Sequence, residues 1–359
     1  MPKVMVMKDR DERRPTFMLT RGLYNQPGEA VTAQVPASLP PLADPQDADR
    51  LDLARWLISR DHPLTARVTV NRFWQILFGT GLVKTSEDFG VQGEYPVQHE
   101  LLDWLAAEFM ESGWDVKHLL RTIVTSDTYQ RSSDIVSAGD HERDPENRLL
   151  ARGPRFRMAS WMIRDQALAV SGLLNSEMGG RPVYSYQPDG VWSEATFGAR
   201  SYQPDKGAEL YRRSLYTFWR RIIGPTIFFD SARRQVCEVK PLRTNTPMHA
   251  LTTLNDITFV EAARVLAERA LKQELSDDDR MQWIAKHVLC RQATADELTI
   301  WKRSLDRAVR TFTDHPKDAA RFVSIGDSKR DESLPVATHA AWTALCLNLL
   351  NLDETLSKE

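Results

Sequence analysis

Residues 62–79 read HPLTARVTVNRFWQILFG, and the spacing of their apolar side chains decides the fold class. Val70, Phe73, Trp74 and Leu77 recur at intervals of three and four, which places them on one side of a helix of 3.6 residues per turn. Pro63 suits the first turn, where its missing N–H would have no helical acceptor. The glycines of FGTGL mark the end. Arg67, Asn71 and Gln75 align at intervals of four on a second, polar line. Either that line is an exposed face or a buried lattice holding the following loop, or it faces a ligand, with Arg67 taking an anion. Polar groups that lose water need definite partners in either buried case.

The same periodicity spreads outward. Leu51, Ala54, Leu57 and Ile58 define a face over 48–59; Leu101, Leu102, Leu105 and Phe109 define another over 98–112, stopped by Gly113, and a short helix follows over 116–125. A long helix is expected over 155–174. Thr246 as N-cap and Pro247 as first residue begin a further pair, whose second helix covers 257–273. Thr294–Glu297 reads as a capping box for a helix through Phe312. Residues 314–335 are expected to form a loop before a closing helix over 336–350. The chain is therefore expected to be mainly α, a multi-helix globular fold with a long irregular centre and room for a small β-hairpin around ELYRRSLYTFW (209–219). Its parts are an extended strap (1–46), rich in Pro and Gly, an N-terminal helical lobe (47–175), an irregular connection (176–245) and a C-terminal helical lobe (246–359), either separate or packed with the first as one domain.

A hydrophobic content of 42% with 27% charged residues fits a globular chain and excludes wholesale disorder. The net charge of -2 gives no chain-wide reason to expect nucleic acid. No stretch is apolar for long enough to span a membrane, and the first residues lack a signal-peptide apolar run. Cys237, Cys290 and Cys346 are isolated, and all three read as small buried apolar residues. There is no CxxCH, HExxH, GxSxG or phosphate-binding glycine loop, so neither cofactor nor metal is called for.

The strongest candidate site is the centre. GGRPVYSYQPDGVWSEATF (179–197) places Tyr184, Tyr186 and Trp192 in one connection with Asp189 and Glu194; rings suit stacking and carboxylates suit sugar hydroxyls. YRRSLYTFWRR and FDSARRQVCEVKPLRTNTP then concentrate Arg212, Arg213, Arg220, Arg221, Arg233, Arg234 and Arg243, cations suited to planar anions. Neighbouring arginines on a strand would point oppositely, so they cannot all line one pocket. On the helix containing Arg164 and Asp165, each is expected to reach a separate element, Arg164 bracing the central loop. Asp88 in KTSEDFG is a turn residue by the simpler reading. With Asp189, Glu194 and Asp256 it forms the set of weak catalytic candidates, useful only if the fold separates their environments.

The blocks HPLTARVTVNRFWQILFGTGLVKTSEDFG, IRDQALAVSGLL, YQPDGVW, LYRRSLYTFWRR and CEVKPLRTNTPMHALTTLND, in this order, closely resemble the domain-of-unknown-function family numbered 1553, over nearly the whole chain. Members are common in planctomycetes, often in exported proteins with an upstream cytochrome-c-like domain. The resemblance implies an extracytoplasmic location and places the haem-bearing part outside this chain. It transfers no reaction. Gln98, Trp161 and His249 depart from the family pattern. Three readings stay open: a non-haem module that binds a ligand or partner, such as an anionic polysaccharide or an acidic protein of a redox-associated assembly; a carbohydrate-active enzyme whose carboxylates converge in the fold; and a purely structural scaffold. For the binding reading the contact residues are Arg67, Asn71, Tyr184, Tyr186, Trp192, Arg212, Arg213 and Arg243.

Overall fold

A computed structural model describes residues 4–8, 10, 12–45, 48–135, 137–220, 223–231, 237–240 and 243–358. The protein is mainly helical, with small two-stranded antiparallel sheets. No helix among the described residues is long and apolar enough to cross a membrane. The chain divides into two units, Met1–Ser126 and Asp127–Glu359. Residues 127–175, grouped with the preceding helices in the sequence reading, belong to the second unit.

In the first unit the strap contains a hairpin, β1 (Thr16–Leu19) and β2 (Pro27–Val31), in which Thr16 pairs with Val31 and Phe17 with Ala30. Helix α1 (Arg50–Leu57) starts from a capping box between Asp49 and Asp52. Its expected inner face is not buried: Leu51, Leu57 and Ile58 remain exposed. Trp56 fixes the helix instead, donating to the Pro40 carbonyl at 2.6 Å and meeting His62 edge-on. Helices α2 (Thr65–Phe78), α3 (His99–Glu111) and α4 (Val116–Val124) pack against one another. Val70, Trp74, Leu105 and Phe109 are buried, as their spacing required.

In the second unit α5 (Ala138–Arg143) precedes β3 (Phe156–Arg157) and α6 (Ser160–Ser171), which ends at left-handed Gly172. The centre holds α7 (Val191–Ala195) and two 3-10 turns, Gly207–Tyr211 and Ser214–Tyr216. The hairpin expected over 209–219 is replaced by these turns. Isolated parallel bridges join Asn175 to Arg212 and Val183 to Thr217, so the segment pairs with earlier chain and not with itself. Then come α8 (Pro247–Asn255), α9 (Ile257–Leu271), α10 (Asp277–Val288), α11 (Ala295–Asp314), α12 (Pro316–Val323), α13 (Val336–Leu350), α14 (Asp353–Leu356) and β4 (Ser357–Lys358). The expected loop over 314–335 contains α12, begun by Pro316 at its first turn. β4 pairs with β3.

Helix α9 is the axis of this unit. Its alanines 262, 263, 267 and 270 are fully buried and let α6, α10 and α13 approach closely. Trp342, Leu345 and Leu349 of α13 complete the core with Ile284 and Trp301. Cys346 lies in it, whereas Cys237 and Cys290 are exposed, against the sequence expectation.

Arg291 joins Glu297, in the capping box of α11, to Glu354 in α14. The Arg291 hydrogen bonds hold the Glu297 carboxyl down at about 2, from the ordinary 4.5. The charged form is favoured by folding, so its contribution is complete above pH 4.5 and lost as pH falls towards 2. Denaturant titrations across that window are expected to show a weaker acid dependence in Arg291→Met than in the wild type; equal slopes would contradict the linkage.

Candidate functional site

Arg164 is the centre of the irregular region. Helix α6 carries it into the interior, where it is 1% exposed. Its Nη2 donates to the Leu210 carbonyl at 2.9 Å, and its Nη1 donates to the Arg212 carbonyl at 2.9 Å and to Ser214 Oγ at 3.2 Å. Asp165 reaches the same segment, accepting from Ser214 N at 2.8 Å and Ser214 Oγ at 2.6 Å. The two neighbours therefore grip one element, not separate ones as expected. Burial holds the Arg164 guanidinium below the usual arginine range, and the Asp165 charge opposes that shift.

Arg212 is 2% exposed. Its guanidinium donates to the carbonyls of Arg181, Glu177 and Gly179 and lies 4.0 Å from the Tyr216 ring centroid. Gly179 and Gly180, both at positive φ, permit this enclosure; a Cβ on Gly180 would stand 3.2 Å from Arg212 Nη1. Arg213, the next residue, is exposed.

A second brace comes from α9. Glu261, 1% exposed, accepts from Tyr211 Oη at 2.8 Å, Tyr186 Oη at 3.0 Å, and Ser328 N and Oγ at 2.7 Å each. Fully buried Arg264 donates to the Ser328 carbonyl at 2.7 Å. Burial, assisted by the Glu261 carboxylate, pushes both phenols well above the usual tyrosine range. Gly326 at φ 99 completes the contact, since a Cβ there would fall 2.2 Å from Glu261 Cδ.

The remaining rings pack on each other. Trp192 stacks on Tyr202 at 5.2 Å, Tyr184 stacks on Phe218 at 4.6 Å, and Trp192 Nε1 donates to Gln187 Oε1 at 2.7 Å. Tyr202 donates to the Ser185 carbonyl at 2.6 Å, and burial pushes its phenol up to about 12. Tyr184 and Trp192 thus share one stack, while Tyr186 joins the Glu261 network.

The other candidates are dispersed. In the first unit Arg67 pairs with Asp103 at 2.6 Å, and fully buried Asn71 holds Val83 N and O. Asp88 accepts from Gly90 N within its own turn. In the second unit Asp189 and Glu194 are exposed, and Asp256 caps α9 through Thr258 N. Burial raises the Asp256 carboxyl above the ordinary range. Arg243 is exposed and lies 4.5 Å over the Phe156 ring; Arg220 is half-buried, and Arg221, Arg233 and Arg234 lie outside the described residues. Among the described residues no cluster of three or more His, Cys, Asp or Glu is placed to hold a metal.

Sequence reasoning missed Glu261, Arg264, Ser214 and Tyr202. Glu261 and Arg264 had a signal: two charges three residues apart inside the otherwise apolar run of ITFVEAARVLA (257–267). Replacing Glu261 by Gln aims an amide at donors already present and is expected to cost about 2–4 kcal/mol, read by urea unfolding. A loss below about 0.5 kcal/mol would remove the network from the account.

A family model described as PSD1: Protein of unknown function (DUF1553) matches residues 49–305. No curated protein and no solved structure matches the chain.

Proposed function

Since the chain belongs to the DUF1553 family, whose description names no reaction, we propose from its geometry that it is a rigid, non-catalytic partner-binding scaffold. The carrying observation is the enclosure of Arg212 by main-chain carbonyls, which removes the central cation from any anion site. Arg164 is engaged in the same way, and Trp192 is buried against its neighbours. The four candidate carboxylates are spread along the chain: Asp88 and Asp256 hold a turn and a helix end, Asp189 precedes the short helix α7 and Glu194 lies within it, both exposed. That arrangement supports a framework over a carbohydrate-cleaving pair.

Recognition then runs through what the braced centre leaves outside. Phe197 is 99% exposed and sits at φ 52, a conformation that costs a bulky residue about 1–3 kcal/mol. Leu215, 76% exposed, follows exposed Arg213 by two residues. An apolar partner patch with an acidic rim suits these groups. The family resemblance motivates an extracytoplasmic setting and a cytochrome-c-like partner, which makes the module part of a redox-associated assembly.

Titration with an isolated cytochrome-c-like domain from a longer family member is the test. The scaffold reading expects binding that Phe197→Ser with Leu215→Ser weakens about tenfold, or 1.4 kcal/mol, at unchanged melting temperature. Absence of binding, or polysaccharide turnover abolished by Asp189→Asn or Glu194→Gln, would overturn it.

A further inference from the structure

The first unit contains a basic groove, lined by residues of the strap and the start of α1. The β1–β2 ladder ends at the Thr16–Val31 pair, and the segments 8–15 and 32–35 extend beyond it. Together with the start of α1 they line a cavity of about 960 Å³. Five cations border it: Lys8, Arg10, Arg13, Arg14 and Arg50. Lys8, Arg10 and Arg14 have no acidic partner among the described residues. Among the described residues the bordering carboxylates are Glu12 and Asp49, and Asp49 is already engaged, accepting from Leu51 N at 2.6 Å and Asp52 N at 3.0 Å at the helix end. Gathering like charges around a concavity raises the local potential and favours an anion there.

From this groove we infer a binding site for an anionic polysaccharide, whose sulfate or carboxylate groups meet the cations while its hydroxyls meet Thr16, Thr32 and Gln34. The cavity volume falls within the range that holds an oligosaccharide-sized ligand. Guanidinium groups match planar or tetrahedral oxyanions through paired N–H donors. Two other polyanions fit less well. No aromatic ring lines the groove among the described residues, so nucleobases lack a stacking surface. An extended acidic peptide would need a strand edge to pair with, but the β1–β2 ladder ends at Thr16–Val31 and Pro15 offers no N–H.

Calorimetric titration of the whole chain with a heparin-derived hexasaccharide, a polygalacturonate oligomer, neutral dextran, poly-glutamate and single-stranded DNA decides the matter. Binding of the sulfated or the carboxylated sugar is expected, whichever binds identifying the group read, with affinity falling steeply as salt rises. The triple variant Lys8→Gln, Arg10→Gln, Arg14→Gln is expected to lose about tenfold in affinity at unchanged melting temperature, and Glu12→Gln to gain. The inference is overturned if neither charged sugar binds at low salt or if the triple variant binds as well as the wild type. It is equally overturned if dextran, poly-glutamate or DNA binds as tightly as the charged sugars.

Discussion

A buried guanidinium must keep hydrogen-bond acceptors around it, because water is no longer there to supply them. Arg164 meets that demand at its two terminal nitrogens with main-chain carbonyls from Leu210 and Arg212, and this choice fixes the irregular centre of the second unit. Helix α6 packs on α9, so the acceptors must come to it. Residues 210–214 consequently lie along the helix, Asp165 captures the Ser214 amide, and Arg212 and Thr217 bridge back to Asn175 and Val183. Glu261 applies the same rule from α9 with the opposite charge, collecting four donors from three segments. The long connection is thereby ordered without a regular sheet.

The helices were legible where periodicity was long and uninterrupted. The helix after Asp256 follows from the apolar spacing of Phe259, Ala263 and Leu266, and the closing helix over 336–350 from a nearly continuous apolar run. Short elements were not. Helix α12 has only eight residues between a proline and a polar stretch, too few for a period to stand out. Residues 209–219 have the alternation and aromatic content of strands, but the pull of Arg164 and Asp165 on Leu210–Ser214 outweighs that local preference.

The site was legible as composition and not as direction. Tyr184, Trp192 and the arginine-rich stretch were visible in the sequence, and Arg164 as a brace for the central loop was anticipated. What sequence spacing does not contain is that Arg212 turns inward under a glycine pair while Arg213 faces solvent. That one-residue alternation separates a structural cation from an available one. It also moves the case for anion recognition out of the centre and onto the basic groove of the first unit.

The most direct measurement of the central claim is native-state hydrogen exchange at the amides of Asn175, Ser214 and Phe218, in the wild type and in Arg164→Met. If the buried guanidinium orders the connection, all three amides exchange as slowly as the middle of α9 in the wild type and lose that protection in the variant while α9 retains its own. Rapid exchange in the wild type, or protection that survives the substitution, would contradict the account.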